Sequence, residues 1–210
     1  MSALLIFDCD GVLVDSEMLE HAVDAELLGP LGYSASADQL LQRFVGIARR
    51  DMYEVVLGEL KRGMPEGLLE ERERRVWGRC VSDLRCVPGV QLALEALARA
   101  PKCVASSSLP DKLQMKLEST GLADNFTPHI FSTALVSRGK PAPDIYLHAA
   151  QALGYPADAC IVIEDSRHGI AGGSSGRHES DWIHRRRARH REARPRASGC
   201  WRLVGSHPYA

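Results

Sequence analysis

A chain of 210 residues with 45% hydrophobic residues is long enough to bury a core of its own and to carry a smaller inserted unit. The 26 basic and 27 acidic side chains leave a net charge of −1, which excludes an overall basic nucleic-acid binder. No apolar stretch has the length or purity of a membrane span, and the short apolar start runs straight into acidic residues rather than a leader's cleavage site.

That start, Leu4-Leu5-Ile6-Phe7, reads as a buried strand and delivers Asp8-Cys9-Asp10-Gly11-Val12. Side chains alternate along a strand, so Asp8 and Asp10 point one way and Cys9 points back into the fold. Two like charges side by side disturb each other's ionisation unless a cation sits between them. The pair is expected to form a metal-assisted site in which one carboxylate attacks and the other moves protons. A solvated strand end followed by a turn is the plainer alternative.

From Asp15 to Pro88-Gly89 the pattern is helical throughout, with Glu70-Glu71-Arg72-Glu73-Arg74-Arg75 expected as a solvated face. Beyond it, strand-like runs at Lys102–Ala105, His129–Phe131 and Cys160–Ile163 alternate with helical patterns at Val90–Ala100, Asp111–Thr120 and Asp144–Leu153. Gly121 and Gly154 close the last two helices. Such alternation predicts an α/β fold, a parallel sheet covered by helices on both faces. The division expected is a core of residues 1–14 and 88–173, a helical insertion of residues 15–87, and a tail of residues 174–210. Six cysteines show no metal-type pairing, and Cys9, Cys103 and Cys160 fall in apolar runs, as reduced thiols of a cytoplasmic protein would.

Three further segments match the chemistry of the first. Ser106 ends the second strand in Val104-Ala105-Ser106-Ser107-Ser108, where a hydroxyl and the Ser107 N–H could hold a phosphate at a helix start. Ser108 reads alternatively as a plain helix cap. Lys140, one of five lysines, stands in Ser137-Arg138-Gly139-Lys140-Pro141, where a point charge on a long stem could bridge a carboxylate and a phosphate. Standing alone it would read as a surface loop lysine. Glu164-Asp165 follow the last strand and offer the carboxylate oxygens that Mg2+ prefers, although Asp165 could also cap the next helix.

In their order these four motifs resemble the haloacid dehalogenase superfamily, in its branch of sugar phosphatases and β-phosphoglucomutases with a helical cap. The likeness covers about residues 1–170, and Asp8 to Glu17 is especially close to bacterial phosphatases of this branch, some of which act on phosphogluconate-like sugar acids. It implies a Rossmann-like parallel core with sheet order 5-4-1-2-3, Asp8 as nucleophile forming an aspartyl-phosphate, and Asp10 as the acid and base. It implies Ser106 and Lys140 in catalysis, and Asp8, Asp10, Glu164 and Asp165 around Mg2+. Ser106, Ser107, Arg49 and Glu17 are the positions it gives to substrate. The expected reaction is hydrolysis of a small phosphorylated metabolite by a monomer or weak dimer, with neither nucleic acid nor membrane as partner. A phosphomutase is the alternative within the family; it carries a His where this chain has Glu20, which favours the phosphatase. An inactive family member is the other alternative.

The resemblance stops after Gly173. Residues 1–173 hold 17 basic and 24 acidic side chains, residues 174–210 nine Arg, no Lys and three acids. Read one base later, synonymous codons for Ser174–His178 give Ala-Arg-Ala-Gly-Met and those for Ser180–Arg186 give Val-Ile-Gly-Phe-Thr-Gly-Gly, the family's missing strand. The tail is therefore expected to be frameshifted and poorly packed, the last sheet strand missing or disordered, and the outer edge of Cys160–Ile163 exposed.

Overall fold

The computed structural model describes residues 3–44, 47–166, 169–170 and 199–202. The chain divides into two compact units, one of residues 1–14 and 86–210, the other of residues 15–85.

The first unit is built on β1 (Leu4–Phe7), β2 (Lys102–Ser106), β3 (Ile130–Ser132) and β4 (Cys160–Glu164), all parallel, in the order β3-β2-β1-β4. Helices α5 (Val90–Ala96), α6 (Pro110–Ser119) and α7 (Asp144–Ala152) are the crossovers that parallel pairing requires. One face of the sheet (Leu4, Ile6, Cys103, Ala105, Cys160 and Val162) packs on Ile145, Tyr146, Ala149 and Ala150 of α7. On the other side Phe7 meets Phe126 edge to face, ring centroids 5.7 Å apart. The nucleophile-candidate strand is thus central and dry, and register aligns Phe7 with Val104 on one side and Ile163 on the other.

The outer edge of β4 is not exposed, contrary to the expectation for this chain. A four-residue β5 (Gly199–Arg202) pairs with it antiparallel, Ile163 opposite Cys200 and Glu164 opposite Gly199. An open row of N–H and C=O groups accepts an extended segment that reaches it, and β5 fills the fifth position running antiparallel to its neighbour. The tail residues 174–198 and 203–210 lie outside the described residues.

The second unit is helical: α1 (Ser16–Leu28), α2 (Ala37–Arg43), α3 (Arg49–Glu59) and α4 (Leu68–Asp83). A capping box starts α2, Ser36 accepting from the Gln39 N–H while the Gln39 side chain accepts from the Ser36 N–H. In α4 the buried positions Leu68, Arg72, Val76 and Cys80 recur every four residues. The expected solvated face from Glu70 to Arg75 is thereby corrected: Arg72 is 2% exposed. Its guanidinium is compensated by Asp24, buried on α1, through Nε at 2.8 Å, and by Glu20 through Nη2 at 2.7 Å. Tyr53 donates to the same Asp24 at 3.0 Å. Among the described residues no helix is long and apolar enough to cross a membrane.

Candidate active site

Parallel pairing brings the ends of β1, β2 and β4 to one edge of the sheet, and chemistry-bearing residues sit at each. Asp8 follows β1 directly, its N–H bonded to the Ile163 carbonyl at 2.9 Å; Ser106 ends β2; Glu164 ends β4 and Asp165 follows. Between Asp8 and Glu164 stands Lys140, whose Nζ donates to Asp8 Oδ1 and Glu164 Oε2, both at 2.8 Å. The ammonium also lies 5.1 Å from the centre of the Tyr146 ring. Distances of 2.8 Å are those of a charged pair. Burial alone would lower the Lys140 pKa, but Asp8, Tyr146 and Glu164 more than offset it and hold the group well above the usual lysine range.

Asp8 is pushed the other way. Burial raises its pKa, Lys140 lowers it, and the neighbouring Glu164 and Asp10 raise it again, leaving the group at about 7 against an ordinary 3.8. A cation beside it would relieve that strain, and the donors for one are present. One carboxylate oxygen from each of Asp8, Glu164 and Asp165 lies within 4.8 Å of the others. The fit extends to the backbone beneath: Gly11 has φ +79°, and a Cβ there would come 2.0 Å from Asp165 Oδ2. Only glycine lets that carboxylate lie so close, so the approach of Asp165 to the end of β1 is written into the turn. All-oxygen donors suit a hard divalent cation such as Mg2+.

Glu164 is held firmly. It is completely buried, with Oε2 accepting from Lys140 and from the Tyr146 hydroxyl at 3.0 Å, and Oε1 accepting from the Ser166 N–H at 3.1 Å and hydroxyl at 2.5 Å. Such full satisfaction suits an orienting partner for Lys140. Tyr146, buried on α7, was missed by sequence reasoning: its ring belongs to the apolar stripe, and nothing in the pattern links its hydroxyl to a carboxylate 18 positions on.

Asp10 takes different partners. Its Oδ2 accepts from the Ser108 hydroxyl at 2.9 Å and its Oδ1 from the Lys116 ammonium of α6. The alternative reading of Ser108 as a helix cap does not hold: the cap position of α6 is Leu109, with no side-chain cap bond. Ser106, 1% exposed, accepts the Ser108 N–H at 3.1 Å, and Ser107 beside it is exposed. A serine hydroxyl and an open turn at the start of α6 are what a phosphate needs. Lys116 was also missed, although a lysine on the inward stripe of a helix is a readable signal.

The remaining two positions belong to the helical unit. Glu17 lies in the first turn of α1. Arg49 opens α3 and donates from Nη1 to Asp24 Oδ2 at 2.8 Å and to His21 Nδ1 at 3.1 Å, with Nη2 3.4 Å from Glu20. Within its own unit Arg49 therefore serves the buried ion network.

Residues 3–176 match the family model of haloacid dehalogenase-like hydrolases. This protein belongs to that family. It is 38% identical to a conserved haloacid dehalogenase-like protein of unknown function from Agrobacterium tumefaciens str. C58, with a TM-score of 0.75 over 82% of this chain and 78% of that one. A HAD family hydrolase from Deinococcus radiodurans R1, solved with bound phosphate and sodium, is 31% identical with a TM-score of 0.72, covering 81% of this chain and 76% of that one. The 6-phosphogluconate phosphatase of Escherichia coli (strain K12) is 28% identical over 176 residues, which is 82% of this chain and 76% of the relative.

Proposed function

We propose that this protein is a Mg2+-dependent phosphatase that hydrolyses a small phosphorylated metabolite, a sugar phosphate or sugar-acid phosphate, through an aspartyl-phosphate on Asp8. The observation that carries the reading is the Lys140 ammonium set 2.8 Å from both Asp8 and Glu164, with Asp165 completing a carboxylate cluster at the same sheet edge. That arrangement supplies what phosphoryl transfer needs, an oxygen nucleophile and fixed positive charge for the phosphoryl oxygens.

Asp8 attacks phosphorus through one carboxylate oxygen as the bond to the leaving alcohol breaks, and Asp10 delivers a proton to that alcohol. A water then attacks the same phosphorus, Asp10 takes its proton, and inorganic phosphate departs with the Asp8 carboxylate restored. Ser106 and the Ser107 N–H hold phosphoryl oxygens, while Glu164 and Tyr146 keep Lys140 aimed at Asp8. Mg2+, when bound, would neutralise phosphoryl oxygens and be held by Asp8, Asp165 and the main-chain carbonyl of Asp10. The similar E. coli 6-phosphogluconate phosphatase supports the substrate class, and the Deinococcus hydrolase with bound phosphate supports a phosphate-binding site.

A panel of phosphorylated sugars and sugar acids, 6-phosphogluconate among them, tests this by release of inorganic phosphate with Mg2+ or with EDTA. The expected result is Mg2+-dependent release from at least one member. Retention of phosphoryl as an isomeric sugar phosphate would favour the mutase, and no turnover of any member would leave an inactive family member.

A further inference from the structure

Lys116 projects from the inward stripe of α6, beside Leu113 and Leu117, and is 1% exposed. An apolar side chain would fill such a position without penalty, whereas an ammonium there costs several kcal/mol unless it is fully compensated. Its head meets Asp10 Oδ1 and lies 3.4 Å from the Ser108 hydroxyl, which in turn donates to Asp10 Oδ2 at 2.9 Å. The two oxygens of Asp10 are thus gripped from two directions by groups on β2's exit loop and on α6. The Asp10 side chain keeps 30% of its surface open, so the clamp leaves one side of the carboxyl reachable. Meanwhile Asp8 accepts from Lys140, which also donates to Glu164. Two carboxylates from one strand end are sorted onto two different lysines.

We propose that Lys116 is a positioning residue: with Ser108 it fixes the direction from which the Asp10 carboxyl faces the leaving oxygen. The proposal rests on the reading of Asp10 as proton donor. Proton transfer by a placed side chain contributes about 10^2–10^4-fold, and it depends on heavy-atom geometry before anything else. A carboxyl free to rotate at the mouth of the site would spend most of its time misdirected. Lys116 acts through Asp10 and touches no reacting atom.

The test uses the full chain with Lys116→Met, which keeps the apolar stem without the ammonium and suits the apolar stripe, alongside Asp10→Asn, the double variant and Lys116→Arg. Two esters separate the roles, because nitrophenolate leaves p-nitrophenyl phosphate without needing a proton and the alkoxide of glycerol 2-phosphate does not. For K116M, kcat/KM on the glycerol ester is expected to fall about 10- to 100-fold and on the aryl ester by less than about threefold. K116R is expected to recover part of the loss, and the double variant to be no slower than D10N. Equal losses on both esters, losses that multiply in the double variant, or unchanged kcat/KM would overturn the proposal. If the wild-type chain turns over neither ester, the panel of phosphorylated sugars and sugar acids decides whether the phosphatase reading fails. A crystal structure of K116M then decides the role of Lys116: Asp10 turned away from Ser108 supports the clamp, and Asp10 unmoved overturns it.

Discussion

Gly11 is the residue through which the backbone constrains the metal-binding candidate. At φ +79° an alanine is strained, and its Cβ would fall 2.0 Å from the Asp165 oxygen. Gly11→Ala is therefore expected to displace Asp165 and weaken Mg2+ binding by about 10- to 100-fold, the range for supporting groups of metal ligands; calorimetric titration measures it. Affinity should also depend on pH in a definite direction. Asp8 is raised to about 7, chiefly by burial, and a metal ligand must give up its proton, so Mg2+ affinity should weaken as pH falls through 7. At this scale the sequence was legible where a residue type is out of place for its element. Paired aspartates after an apolar strand, a lysine in a proline-bounded turn and Glu-Asp at a strand end all qualify. Tyr146 was harder to see, since the apolar stripe of its helix already explains its position, and the partners of both Tyr146 and Lys116 are remote in sequence.

Among the elements, α1, α3 and α4 meet around a buried network that no periodicity foretells. The run Glu70 to Arg75 looks solvated because every residue in it is charged, yet Arg72 falls on the four-residue stripe and is drawn inward by Asp24. Asp24 accepts from Arg49, Arg72 and Tyr53, so Asp24→Ala should remove the buried carboxylate shared by two guanidinium groups and lower stability by about 3–5 kcal/mol, as chemical denaturation would record. His21 gives this unit a pH response. Burial lowers its pKa to about 4, Arg49 and Arg72 add to that and Asp24 and Glu20 oppose it. The folded state thus keeps His21 neutral where the unfolded chain, near 6.5, takes up a proton. Stability is complete above pH 6.5 and is lost as pH falls toward 4, by about 3 kcal/mol at one pKa unit per 1.36 kcal/mol. His21→Gln should remove this contribution, so that stability measured by chemical denaturation at pH 7 and pH 5 falls less on acidification in the variant than in the wild-type chain.

Over the whole molecule, alternating strands and helices gave the parallel sheet covered by helices, while the order 5-4-1-2-3, with the strand that leads into the two aspartates at its centre, came from the family resemblance. The direction of the fifth strand was not readable: its residues, Gly199–Arg202, carry no apolar alternation, and pairing to the open edge of β4 is decided by geometry rather than by pattern. The charge balance changes sign at residue 174, and the family match runs to residue 176. A chain with the reading frame restored after Gly173 is accordingly expected to melt at a higher temperature than this one; equal melting would argue that residues 174–210 are the native continuation. The central claim is that Asp8 carries the phosphoryl group, and it is tested most directly by an acid-quenched reaction with substrate labelled at phosphorus, followed by peptide mapping. Label on the peptide containing Asp8, absent from Asp8→Asn, is the result expected. Turnover with label on another residue, or undiminished turnover in Asp8→Asn, would contradict it.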